Sequence, residues 1–274
     1  MSDNLTPPKA YNNLAFLNSQ DARKIRVLCE MSEPEQRFRE LKIEDTIVFF
    51  GSARSRPSKQ AEADLETARA AVADPENPTP EERRALYRAE STHRLAPYHD
   101  AAVELARRMT AWSLGLENGN RRFLVCTGGG PGMMEAANEG AAAAGGKSLG
   151  LGISLPFEQG LNPHVTPELA FEFHYFFVRK YWFAYWAKAL IVFPGGFGTM
   201  DELFELLTLV QTRKIEKAMP ILLYGSAFWT SILNFEEFVK WGVVAPEDLD
   251  RFKIVDSVEE AEQFLVDELS RHYL

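Results

Sequence analysis

Short apolar runs recur along the chain: TIVFF, RFLVCT, SLGLGISL, LAFEFHYF, ALIVF, MPILLYG and FKIV. Most are continuously apolar rather than alternating, which is the pattern of strands covered on both faces. Between them lie longer segments of helical period: PGMMEAANEGAAAAG, VRKYWFAYWAKA, TMDELFELLTLVQT, AFWTSILNFEEFVKWG and SVEEAEQFLVDELSRH. Strands and helices taking turns predict an α/β architecture, a Rossmann-like doubly wound parallel sheet with helices on both faces. The polar residues 1–45 read as a flexible arm and a short helix, and 46–274 as a single nucleotide-binding domain. Residues 57–94, rich in Ala, Glu and Arg and broken at DPENPTPEE, read as a helical insertion of two helices. The segment YHDAAVELARRMTAWSL follows as a further helix.

Composition narrows the classes. The chain has 274 residues, 46% hydrophobic and 25% charged, and a net charge of -9. That field repels polyanions, which argues against nucleic-acid and acidic-membrane partners but permits a local anion pocket. Cys29 and Cys126 are the only cysteines and have neither disulfide nor metal-ligand spacing. MSDNLTPPKAYNNLAF lacks the basic-then-apolar order of a signal peptide. No run approaches the roughly 20 apolar residues of a membrane helix, so the expected location is cytoplasmic.

Three turns stand where a parallel sheet binds its ligands, at the carboxyl ends of strands. They are GSAR (51–54), TGGGPGMME (127–135) and PGGFGTMDE (194–202). Glycine lets backbone approach a ligand closely, and a helix start offers unpaired N–H groups to an anion. This nominates Ser52, Gly129, Gly130, Gly132, Gly195, Gly196 and Gly198, with Glu135 on the helix that follows the second loop. AAAAGGKS (141–148) is not a P-loop, since it begins with alanine and runs from helix to strand. TGGGPGMME lacks the third glycine of the dinucleotide fingerprint, which disfavours NAD. Thr199 to Glu202 has T-x-x-E spacing, so those two side chains could simply cap a helix, with Asp201 and Glu202 in its first turn.

PGGFGTMDE, preceded by VRK at 178–180, resembles the PGGxGTxxE and RK signatures of the LONELY GUY (LOG) family of cytokinin riboside 5′-monophosphate phosphoribohydrolases. The resemblance extends over about residues 46–270. It implies a homodimer or higher homo-oligomer that hydrolyses nucleoside 5′-monophosphates, AMP or N6-modified AMP, to free base and ribose 5-phosphate. It further implies Arg179 and Glu202 as catalytic residues and Lys180 as their neighbour in the RK pair. Gly196, Gly198 and Thr199 match its phosphate loop, Thr208 a downstream site threonine, and Glu158 loosely a glutamate after the preceding strand. No cofactor and no metal are implied. A non-catalytic nucleotide-binding or carrier protein of the same fold is the alternative. A pyridoxal phosphate decarboxylase is disfavoured, because neither Lys180 nor Lys188 has a Schiff-base setting.

Overall fold

A computed structural model describes residues 7–156 and 160–274. Among the described residues, seven strands form one parallel sheet: β1 (Thr46–Phe50), β2 (Leu124–Thr127), β3 (Ser148–Ile153), β4 (Ala170–Phe173), β5 (Ala187–Val192), β6 (Ile221–Tyr224) and β7 (Phe252–Val255). Their spatial order is β4-β3-β2-β1-β5-β6-β7, with every pairing parallel. The direction of winding reverses between β1 and β5, and the crevice at that switch point is where such sheets bind ligands.

Ten α-helices among the same residues connect and cover the strands: α1 (Leu14–Leu17), α2 (Arg23–Leu41), α3 (Ser58–Ala70), α4 (Pro80–Leu114), α5 (Met133–Ala143), α6 (Phe176–Trp186), α7 (Phe197–Gln211), α8 (Ser226–Ile232), α9 (Phe235–Lys240) and α10 (Val258–Tyr273). Side chains alternate across β1, which divides the core in two. Ile47 and Phe49 join Leu105 and Met109 of α4, Met133 and Ala137 of α5 and Leu265 of α10. Val48 and Phe50 join Phe38 of α2, Trp182 and Phe183 of α6, Leu203 of α7 and Trp229 of α8.

Three elements differ from the expectations. The polar N-terminal stretch holds a 19-residue helix, α2, not a short one, and its Phe38 lies in the core, stacked on Trp186 at 3.5 Å. Residues 80–114 form one 35-residue helix where two were expected. Pro97 does not end it, because Ala96, His99, Ala102, Leu105 and Ala106 are buried on either side of the proline and hold the axis. The expected helix at 227–242 is two: α8 ends at Ile232, and the Asn234 side chain accepts from the Glu237 N–H to start α9.

Candidate functional site

The crevice holds a cavity of about 710 Å³ walled by the ends of β1, β2, β3 and β5 and the starts of α6 and α7. Its polar lining includes Ser52, Arg54, Arg179, Thr199 and Glu202, with bare backbone at Gly128, Gly130, Gly195, Gly196 and Gly198. The apolar lining includes Met134, Ile153, Phe176 and Phe197.

β5 delivers the PGGFGT loop. Gly195 has no room for a side chain, since a β-carbon there would stand 2.2 Å from Thr199 Oγ1. Gly196 and Gly198 face open space, so their backbone is available to a ligand. The helix begins at Phe197 with Gly196 as its N-cap and no side chain capping it. That overturns the capping-box reading of Thr199 and Glu202. Thr199 is the third helical residue, and Asp201 and Glu202 are the fifth and sixth, beyond the first turn. The uncapped N–H groups and the positive end of α7 therefore border the cavity.

α6 delivers Arg179. Its Nη2 lies 3.2 Å from Glu202 Oε1, with 11% and 14% of the two side chains exposed. The guanidinium sits over the rings of Phe176 and Phe183 at 5.2 and 5.6 Å. Its Nη1 reaches the second glycine loop, 3.8 Å from where a β-carbon of Gly128 would be. Burial pushes the Glu202 carboxyl up to about 7; the Arg179 charge opposes the shift and is outweighed.

The second loop is held from behind. Gly129 N–H donates to Thr127 Oγ1 at 2.9 Å, and Thr127 Oγ1 donates to Asn138 Oδ1 at 2.7 Å. Asn162 Nδ2 donates to the carbonyls of Gly129 and Gly130 and to Asn138 Oδ1. Gly129 and Gly132 have φ of 71° and 72° and pack away from the cavity, Gly129 against Leu161 and Gly132 against the Ser52 carbonyl. Their glycine is required by backbone geometry. Met133 N–H donates to Ser52 O at 3.0 Å, which occupies the start of α5.

Of the residues nominated from sequence, Ser52, Gly130, Arg179, Gly195, Gly196, Gly198, Thr199 and Glu202 share this cavity. Glu135 does not line it; its charge acts on His99 of α4 instead. Lys180 is turned from Arg179 by the 100° between consecutive helical residues. It pairs with Asp201 at 2.9 Å and Glu205 at 2.7 Å. Thr208 is exposed, and with Lys180, Phe197 and Phe204 it lines a separate groove between α6 and α7. Glu158 lies outside the described residues. Arg54, Gly128, Phe176 and Phe197 were not foreseen; the basic residue closing the GSAR turn was the one available signal for Arg54. Among the described residues, no group of three His, Cys, Asp or Glu side chains is placed to hold a metal.

Residues 134–265 match the family described as "possible lysine decarboxylase". The cytokinin riboside 5′-monophosphate phosphoribohydrolase LOG of Oryza sativa subsp. japonica is 31% identical over 177 residues, 63% of this chain and 67% of the rice protein. A pyrimidine/purine nucleotide 5′-monophosphate nucleosidase of Escherichia coli K12 is 29% identical over 57% of this chain and 36% of its own, so the match spans about a third of that protein. The molybdenum cofactor carrier protein of Chlamydomonas reinhardtii superposes with a TM-score of 0.47 at 17% identity, over 82% of this chain and 99% of that one. By its identity to the rice enzyme and its share of that sequence, the chain belongs to the LOG family of phosphoribohydrolases.

Proposed function

We propose that the protein hydrolyses the N-glycosidic bond of nucleoside 5′-monophosphates, with AMP or an N6-modified AMP as substrate, releasing free base and ribose 5-phosphate. The observation that carries the reading is the buried Arg179–Glu202 pair, 3.2 Å apart, in the same cavity as the uncapped start of α7. The 5′-phosphate fits against the N–H groups of residues 197–199 and the bare backbone of Gly196 and Gly198. Anchoring the phosphate there places the ribose beside Glu202. Breaking the ribosyl–base bond builds oxocarbenium character on the sugar, as glycoside cleavage does. An ionised Glu202 stabilises that cation and can take a proton from the attacking water; a carboxyl titrating near neutrality is suited to this work. Arg179 supplies a forked donor for the departing base or a ribose oxygen and keeps part of the Glu202 population ionised.

Incubation with AMP followed by chromatography tests the reading through the appearance of adenine. Glu202→Gln keeps shape and helix propensity but removes the anion, and it should lower turnover by about 10²–10⁴-fold in a folded protein. Arg179→Ala should do likewise. A Glu202→Gln protein that releases adenine at the wild-type rate overturns the assignment, and a wild type that binds AMP without releasing base returns the chain to the carrier alternative.

The reading includes a homodimer. Phe177, Tyr181 and Tyr185 are 58%, 41% and 54% exposed, and they recur at every fourth residue of α6. They form one apolar stripe on a helix whose opposite side is core. Phe197 of the adjoining helix α7 and the groove between α6 and α7 that holds Lys180 and Thr208 lie beside this stripe, so a partner seated on this face would border the cavity.

A further inference from the structure

Ser52 joins three loops of the cavity wall. Its N–H donates to Pro194 O of the β5 loop at 2.9 Å, and its carbonyl accepts from Met133 N–H at the start of α5 at 3.0 Å. Its hydroxyl accepts from Arg54 N–H at 3.1 Å, which turns the chain so that Arg54 reaches the cavity. The Ser52 carbonyl is also the atom against which Gly132 must remain side-chain-free. Behind it stands Ser55, whose Oγ is 3.5 Å from Ser52 O and 3.1 Å from Nδ1 of His99. Ser55 and His99 are 2% and 3% exposed. The next residue of α4, Asp100, accepts from Ser58 N–H at 3.2 Å and so holds the far end of the same loop.

We propose that His99 is a positioning residue for the proposed nucleotide site: through Ser55 it fixes Ser52, and with it Arg54 and the facing backbone of the glycine loops. This inference rests on the reading of the cavity given above. With a proton on Nδ1, the imidazole donates to Ser55 Oγ and the hydroxyl's own proton is left for Ser52 O, so each donor in the line has an acceptor. Burial holds the His99 imidazole below its ordinary value, which keeps the ring neutral. α4 returns the chain to β2 and, at residues 99 and 100, clamps both ends of the loop that forms one wall of the cavity.

The contact is made by Nδ1, so the variants separate hydrogen bonding from packing. The amide of Asn falls near the position of Nδ1, whereas that of Gln reaches towards Nε2. His99→Asn should keep KM for AMP near wild type. His99→Gln, His99→Ala and Ser55→Ala should raise it by about tenfold with a smaller change in kcat, the scale set by one lost side-chain hydrogen bond. Hydrogen–deuterium exchange over residues 51–58 should accelerate in the same three variants and not in His99→Asn, whatever the substrate. Ser55→Ala alters little volume, so it reports the same bond should His99→Ala fail to fold. Equal KM and equal exchange for the Asn and Gln variants would overturn the proposal. If the wild type releases no base, the reaction assignment fails while the exchange rates still decide the role of His99.

Discussion

At the scale of single residues, Glu202 sets a condition on pH. A carboxyl raised from 4.5 to about 7 by burial is protonated more readily in the folded protein than in the unfolded chain. Between those two values the native state holds the extra proton, so stability falls as pH rises, and the loss is complete above about 7. At about 1.4 kcal/mol per pH unit, ionising Glu202 costs the fold roughly 3 kcal/mol at most. Glu202→Gln has nothing to titrate at that position. Its melting temperature should therefore gain on wild type as pH goes from 5 to 8, while wild-type kcat/KM rises with pH through about 7. A constant difference between the two melting curves across that range would mean that Glu202 is not shifted. Arg179 and Glu202 were legible because a motif of fixed spacing names them. The rise in the pKa of Glu202 was not, since it comes from burial among α6, α7 and the sheet ends. Asn162 was equally hidden: its hydrogen bonds to Gly129 and Gly130 join residues more than thirty positions apart.

At the scale of elements, the glycines of the loops divide into two kinds, and a substitution distinguishes them. Gly132 combines φ of 72° with a would-be β-carbon 2.4 Å from the Ser52 carbonyl. Gly132→Ala must strain the backbone and push Ser52 off its hydrogen-bond partners. The backbone strain alone costs about 1–3 kcal/mol, so the midpoint of urea unfolding should drop clearly. Gly196 is extended, with φ of -94°, and a β-carbon added to it or to Gly198 would meet no atom within 4 Å. Ala at either site should leave the unfolding midpoint near wild type and raise KM for AMP, because the methyl occupies space meant for phosphate. A Gly198→Ala protein with unchanged KM would move the phosphate away from α7. The three loops were legible in the sequence because apolar strands and glycine turns are local signals. The two kinds of glycine were not, since whether a Cβ meets backbone or open space depends on strands that are remote in sequence. The uncapped start of α7 was hidden for a related reason. T-x-x-E favours a cap at Thr199, but Thr199 is buried against Gly195 two residues inside the helix.

At the scale of the whole molecule, α6 has two unlike sides, and among the described residues only one is covered. Trp182 and Trp186 turn inward, where Trp182 Nε1 donates to the Glu30 carbonyl of α2 and Trp186 stacks on Phe38. The N-terminal helix thus seals that side, a contact that its polar sequence gave little reason to expect. On the other side Tyr181 and Tyr185 stack on each other at 5.3 Å with Phe177 one turn before them. A contiguous aromatic stripe of this kind, bordered by the charged Lys180, Asp201 and Glu205, has the apolar centre and polar rim of a subunit interface. The proposed dimer would bury it. Tyr181→Glu with Tyr185→Glu places two charges there outside the cavity lining, at the cost of the edge contacts of the two tyrosines with Trp182 and Trp186, and the protein should fold with helix content unchanged. Sedimentation equilibrium should then give about twice the chain mass for wild type and the single-chain mass for the double variant. If turnover falls with the loss of the dimer while Glu202 and Arg179 are intact, the groove holding Lys180 and Thr208 acts only when a second copy faces it. A double variant that sediments like wild type would remove this stripe from the interface and leave those two residues without a route to the site.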